Sequence, residues 1–399
     1  MSRRRLRASR NGTRMLVGFL AAAGLLAGSA IALPGAASAD PVPGVTCTES
    51  DVPVALLGES RPSQHLHTEL CVPQGGSDVV MLLVHGGSYS SEYWDFSYQP
   101  EKYSMVRAMN AAGIATANVD RLGSGRSSHP LSALVTVDQS AHTLHQVVTA
   151  LRNGDLGHAF STVVVVGHSL GSAVAEAEVA RYGDVDGLIV TGFAGRLNAL
   201  QLVAILPAAS VAALDPRFVG KVLDPGYLTT RAGSRGVFYH TPQTDPGVIA
   251  HDDATKETFA VTEVASVAPA LAPLLARLET PVCDQLPSLC DSPVGAIVLG
   301  ASRQVHVPTL MVIGQQDTLV CGGLGTDCSS AQTVKAEEVS LWPADACLGV
   351  RLLPDVGHNI NLHLTGQDWF DTARQWTANL VEWRNGPKTG CPAPTPGVS

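Results

Sequence analysis

The chain has 399 residues, 45% hydrophobic and 15% charged, enough apolar material for one large domain with an insertion or for two ordinary domains. Its formal charge is −9, and no basic patch interleaved with aromatics follows the first 14 residues, which argues against a nucleic-acid or anionic-lipid partner. Only 5% is aromatic, so the core must be built mainly from Val, Leu, Ala and Ile.

Residues 1–39 have the three parts of a secretory signal peptide. Arg3, Arg4, Arg5, Arg7, Arg10 and Arg14 form a basic start, an uncharged apolar stretch runs from Met15 to Leu33, and Ala37-Ser38-Ala39 offers a cleavage site before Asp40. The alternative is an uncleaved anchor, since the apolar stretch is just long enough to span a bilayer. The "SRRRL" start is a partial twin-arginine match far from the apolar stretch, so the general secretory route fits better. This segment holds six of the 26 basic residues and none of the 35 acids, which leaves about −15 on the remainder. An extracellular protein without stable membrane association is expected.

From about residue 50 to 190, apolar runs alternate with helical patterns. "DVVMLLVHGG" (78–87) is a buried strand ending at a glycine pair, and "EKYSMVRAMNAAG" is helical. "GIATANVDRLGSG" (113–125) is a second strand entering a Gly-rich turn, and "TVDQSAHTLHQVVTALRNG" is a helix stopping at Gly154. "STVVVVGHSLGSAVAEAEVA" (161–180) passes from a strand to a helix of small residues, and "VDGLIVTGF" (185–193) is another strand. Such alternation predicts a mostly parallel sheet with helices on both faces. Residues 196–304 break it. They are rich in Ala, Leu and Pro, suggest a helix around 263–279, and show no clear strand before "PVGAIVLG". Strands return at "HVPTLMVIGQQD" (306–317) and "GVRLLPDVGHN" (349–359), followed by a last helix and a Pro-rich irregular tail after Cys391. The predicted organisation is a signal peptide over 1–39, an α/β core over 40–195 and 305–399, and a mainly helical insertion over 196–304.

Eight cysteines, all beyond the cleavage site and none in a C-x-x-C, suit disulfides in an oxidising compartment better than a zinc or thioredoxin-like site. Proximity in sequence suggests the pairs 47–71, 283–290, 321–328 and 347–391.

Gly167-His168-Ser169-Leu170-Gly171 is a G-x-S-x-G set between a strand and a helix, the setting of a nucleophile elbow. A serine hydroxyl needs a base to take its proton, and His358 lies after a strand at the edge where Ser169 is expected. His168 is expected to point elsewhere, and His363 to be a solvated helix residue. The base needs a carboxylate, and Asp317 ends a strand at the same edge. Asp355 is too close in sequence to His358 to reach its ring easily. An oxyanion would be held by the backbone N–H of Leu170 at the helix start and by one from His85-Gly86-Gly87, with Gly87 the first choice and Ser88 the second. "DRLGSGRSSHP" (120–130) lacks a full G-x-G-x-x-G and is assigned to the wall of the site. Tyr227, Phe238 and Tyr239 are candidates for the pocket, though core packing is the simpler expectation.

The ordered set HGG, D-R-x-G-x-G-x-S, G-H-S-L-G, Asp317 after a strand and Gly357-His358 before the last helix resembles the α/β-hydrolase family, above all secreted bacterial serine esterases and lipases. The resemblance covers about residues 50–195 and 305–385. It implies a Ser169-Asp317-His358 triad, an acyl-enzyme intermediate, no metal or organic cofactor, and a small ester or lactone as substrate. It also implies that residues 196–304 cap the site. A peptidase, an amidase and a cofactor-free perhydrolase use the same triad, and a binding protein on the same fold is the non-enzymatic alternative.

Overall fold

The computed structural model describes residues 43–267 and 301–399. The signal peptide expected over 1–39, the expected Cys283–Cys290 pair, the strand expected at "PVGAIVLG" and the end of the helix expected at 263–279 lie outside them. In chain order the strands are β1 (Val45–Val54), β2 (Gln64–Pro73), β3 (Val79–Val84), β4 (Ala115–Val119), β5 (Thr162–His168), β6 (Gly187–Thr191), β7 (Ala209–Val211), β8 (Tyr227–Thr230), β9 (Phe259–Ala260), β10 (Thr309–Gly314) and β11 (Gly349–Leu353). The helices are α1 (Pro100–Tyr103), α2 (Met105–Ala111), α3 (Val137–Asn153), α4 (Leu170–Tyr182), α5 (Ala199–Ala204), α6 (Pro246–Thr255), α7 (Val261–Val267), α8 (Ala331–Glu338) and α9 (Asp368–Asn385).

Eight strands form one sheet in the order β1-β2-β4-β3-β5-β6-β10-β11. From β4 to β11 every pairing is parallel, whereas β2 runs antiparallel to both β1 and β4. The valine run of β5 shows why this sheet is covered on both faces. Side chains alternate along a strand, and here both sets are fully buried. Val163 and Val165 join Val80, Leu82 and Val84 in a core with Leu144, Val148 and Leu151 of α3 and Ala173 and Val174 of α4. Val164 and Val166 join Met81 and Leu83 in a second core with Met105 and Met109 of α2 and Trp369, Trp376 and Leu380 of α9. Each such valine contributes about 1.5–3 kcal/mol by burial, so a polar residue anywhere in the run would cost one face or the other.

Local signals set the helix limits. The Thr136 side chain accepts from the Gln139 amide at 3.2 Å to start α3, and Gly154 at φ +80° ends it. The helix expected over "EKYSMVRAMNAAG" is two helices, because Ser104 turns extended and its hydroxyl caps α2 through Arg107 N. Between β6 and β10 the chain leaves the sheet and forms an antiparallel β7-β8-β9 sheet among helices. These strands have three, four and two residues, too short for an alternating pattern to be visible in sequence.

Among the described residues, three disulfides brace this framework. Cys47 and Cys71 are directly opposed on β1 and β2, Cys321–Cys328 closes the loop after β10, and Cys347–Cys391 ties the tail to the residues before β11. The tail then exchanges two hydrogen bonds with β11, between Val350 and Ser399. Among the described residues, no helix is long and apolar enough to cross a membrane.

Candidate active site

Ser169 sits between β5 and α4 with φ +52° and ψ −121°, in a region that side-chain-bearing residues rarely occupy. The turn is held by Ser169 N donating to Thr191 O at 2.8 Å, and by Thr191 N donating to the Ser172 hydroxyl at 3.1 Å. Its two glycines are steric necessities. A Cβ on Gly167 would overlap the Ser172 backbone, and one on Gly171 would overlap the carbonyl oxygen of His85. β5, α4 and the loop after β3 can therefore approach this closely only without side chains at those two positions.

The three side chains selected from the sequence form one hydrogen-bonded chain. His358 Nε2 lies 2.9 Å from Ser169 Oγ, and His358 Nδ1 lies 2.9 Å from Asp317 Oδ2. Asp317 is fully buried, and its other oxygen accepts the Leu319 amide at 3.0 Å. The carboxylate is thus fixed by its own loop, and the Cys321–Cys328 disulfide closes that loop two residues further on. Asp355 is exposed on a left-handed turn at φ +57°.

His168 is wholly buried, with its ring stacked on Tyr93 at 4.2 Å and Nδ1 3.1 Å from the Thr191 hydroxyl. Burial, with the nearby His358 adding to it, holds its pKa well below the usual imidazole range, so it stays neutral beside the candidate base. The expectation for His363 is overturned. It is fully buried, and Nε2 accepts the amides of Gly357 and His240, each at 3.0 Å. Two donors on one nitrogen require the proton on Nδ1, which donates to Asn359 O at 2.9 Å. The residue fixes the turn that carries His358. Nor is it a helix residue, since the last helix starts only at Asp368.

The His85-Gly86-Gly87 loop passes directly over the elbow. A Cβ on Gly86 would meet His168 Cδ2 at 3.1 Å and Ser169 Cβ at 3.2 Å, and one on Gly87 would touch the Leu170 side chain at 3.4 Å. Leu170 is the first residue of α4, so its amide has no partner inside the helix.

Two buried ion pairs hold this loop, and sequence reasoning found neither. Arg121, from the Gly-rich turn assigned to the wall, donates to the carbonyls of His85 (2.8 Å) and Gly86 (3.2 Å) and pairs with Glu263 of α7. Arg235 donates to the Ser88 hydroxyl at 2.7 Å and pairs with both oxygens of Asp252 at 2.9 and 2.5 Å. Its guanidinium also stacks over Tyr89 at 4.0 Å. Asp252 accepts the Tyr239 hydroxyl at 2.7 Å, and Asn359, adjacent to His358, donates to the Tyr89 hydroxyl. Of the three candidate pocket aromatics, only Phe238 faces the base, with ring centroids 5.9 Å apart. Tyr227 is buried with its hydroxyl on Pro130 O, and Tyr239 is buried on Asp252.

A model of the alpha/beta hydrolase family matches residues 81–373. Many solved structures are similar. An esterase, RhEst1, from Rhodococcus sp. ECU1013 is 15% identical with a TM-score of 0.49, over 84% of this chain and 99% of that one. A soluble variant of monoglyceride lipase from Saccharomyces cerevisiae is 15% identical with a TM-score of 0.49, over 83% and 96%. A lipase in its open form is 16% identical with a TM-score of 0.50, over 84% and 99%. No curated protein matches. Identities this low concern the fold alone.

Proposed function

Because the chain belongs to the α/β-hydrolase family, we propose that it is an exported serine hydrolase acting on small carboxylic esters or lactones. The observation that carries this reading is the pair of 2.9 Å contacts that His358 makes, with Ser169 Oγ on one side and Asp317 Oδ2 on the other. In this reading His358 takes the Ser169 proton as Oγ attacks the carbonyl, and Asp317 holds the ring with its proton on Nδ1 and stabilises the imidazolium. The amides of Leu170 and Gly87 receive the oxyanion, supported by the Leu170 side chain lying 3.4 Å from where a Cβ on Gly87 would stand and by the position of Leu170 at a helix start. His358 then returns the proton to the leaving alcohol, and water attacks the acyl-enzyme by the same route in reverse.

Residues 196–304 are proposed as the cap. Supporting this, Arg235 and Tyr239 meet the network under Ser88 and Tyr89, and Phe238 meets the His358 ring. Export through residues 1–39 is supported by the three disulfides, which form and persist in oxidising compartments.

Labelling with a fluorophosphonate probe tests the reading. The wild-type protein should be modified once, at Ser169, and Ser169→Ala should not react. Equal labelling of that variant, or none of the wild type, would falsify the assignment. A panel of esters, lactones and amides run on the labelled-competent protein then fixes the bond cleaved.

A further inference from the structure

Away from Ser169, the two helices α3 and α4 share a polar cluster. His145 of α3 meets Glu178 of α4 and Asp184, which follows the Gly183 cap of that helix. His145 Nδ1 is 2.7 Å from Asp184 Oδ2 and 3.7 Å from Glu178 Oε1. One donor atom from each of the three residues lies within 4.8 Å of the other two.

Two observations point to a missing partner. The Glu178 side chain is fully buried, and neither of its oxygens makes a hydrogen bond among the described residues, its ion-pair neighbour His145 Nδ1 standing back at 3.7 Å. A buried carboxylate without hydrogen bonds is costly unless a cation or a proton compensates it. The second is the imidazole. Nδ1 is close to Asp184 yet makes no aligned hydrogen bond to it, and Asp184 Oδ1 is buried and unpaired as well. The ring cannot swing to improve this, because Tyr182 stacks flat on it at 3.8 Å and donates its own hydroxyl toward His142 Nδ1 at 2.6 Å. Arg152 fixes the Asp184 backbone by donating to its carbonyl at 2.9 Å. The three groups therefore converge on one point from rigid supports, with about a quarter of His145 and Asp184 open to solvent as an entry path.

We propose that His145, Glu178 and Asp184 form a binding site for a divalent transition cation, with zinc the best fit to the donors. Zinc takes one imidazole nitrogen and carboxylate oxygens at about 2.0–2.2 Å, which sets neighbouring donors in a tetrahedron roughly 3.3 Å apart. The observed separations of 2.7 and 3.7 Å bracket that value. Calcium requires six to eight oxygens and magnesium a near-octahedral oxygen shell, neither of which three protein donors including a nitrogen supply. Solvent from the open side completes the fourth position. Bound there, the ion would cross-link α3 to α4, the helix that starts directly after Ser169. The site does not depend on the reaction assigned to Ser169.

The test uses the mature protein stripped with a chelator and titrated with zinc, calcium or magnesium chloride. Calorimetry should show one zinc equivalent that is absent from both His145→Ala and Glu178→Gln. Free zinc at about 100 times its Kd should raise Tm by roughly 4 °C more in the wild type than in either variant. Zinc bound by other histidines is common to all three proteins and cancels in the comparison. Glu178→Gln is isosteric and keeps the helix contact, so it reads binding without relying on the His145 variant folding. The proposal is overturned if either variant keeps the equivalent. It is equally overturned if the wild type neither binds zinc nor shifts while Glu178→Gln raises Tm, which would mark a buried proton in place of a metal.

Discussion

Ser169 occupies its φ of +52° because the elbow's surroundings leave the backbone no alternative, and that strain has a measurable size. A residue held in such a region costs of the order of 1–3 kcal/mol, most of which glycine avoids. Ser169→Gly should therefore abolish the proposed ester hydrolysis while raising stability by about 1 kcal/mol in chemical denaturation, with Ser169→Ala inactive at unchanged stability. A glycine variant less stable than the alanine one would show that the turn is unstrained. His363 makes a pH-dependent contribution of its own. Burial lowers its pKa to about 4, helped by the neighbouring His240 and His358, against 6.5 for a free imidazole. The unfolded chain binds a proton there that the native ring does not accept. Stability from the neutral ring is therefore complete above pH 6.5, is lost as pH falls from 6.5 to about 4, and changes no further below that, to a total of roughly 3 kcal/mol. His363→Gln keeps an oxygen for the Gly357 and His240 amides but cannot titrate. Its unfolding free energy should fall less than that of the wild type between pH 7 and pH 4, by about that amount, and parallel curves would remove His363 as the cause.

At the scale of elements, the loop after β3 is the junction on which the site depends. Arg121, paired with Glu263, holds its carbonyls, while Arg235, paired with Asp252, holds Ser88 and Tyr89 from the segment between β6 and β10. Removing one partner of a buried pair leaves the other charge uncompensated, at about 3–5 kcal/mol. Arg235→Met should cost this much and lower kcat more than it raises KM, because the loop beside Leu170 loses its anchor. Arg235→Lys should rescue little, since one ammonium cannot meet both Asp252 oxygens and Ser88 in the guanidinium's planar geometry. Wild-type kcat in a folded Arg235→Met protein would show that the pair serves stability alone. None of this was legible in the sequence, because Arg235 and Ser88 are 147 residues apart and no local pattern joins them. The elbow was legible for the opposite reason: a strand, two glycines, the serine and the helix start are contiguous, and their spacing is dictated by contacts inside that stretch. Asp317 and His358 could be picked out because each follows a recognisable apolar strand, β10 and β11. The β1–β2 hairpin was missed since β1 is largely exposed and its "TCTESD" face is polar, which hides the alternation. His363 was misread because it lies in a turn ahead of the last helix, where its partners, the Gly357 and His240 amides, are set by tertiary structure.

For the whole molecule, the weak point of an open sheet is its edge, and the β11 edge is covered by the chain's own tail. Val350 and Ser399 exchange backbone hydrogen bonds of 3.1 and 2.9 Å, Gly397 O accepts from Arg351 at 3.1 Å, and Cys347–Cys391 restrains the segment that makes these contacts. An uncovered parallel edge presents unpaired N–H and C=O groups to any similar strand. The disulfide spans 44 residues, and closing a loop of that length removes unfolded-state entropy equivalent to about 4 kcal/mol, against about 2.5 kcal/mol for the seven-residue separation of Cys321 and Cys328. Two effects are therefore expected when Cys347 and Cys391 are both replaced by serine. Stability should drop by up to about 4 kcal/mol, and the protein should associate at concentrations where the wild type is unchanged, as read by light scattering after incubation below its melting temperature. The Cys321→Ser, Cys328→Ser protein should lose less stability and show no association, but should lose activity in proportion to the freedom given to Asp317. If both pairs associate alike, the loss of stability drives aggregation, and covering the β11 edge is not what keeps the molecule from associating with itself.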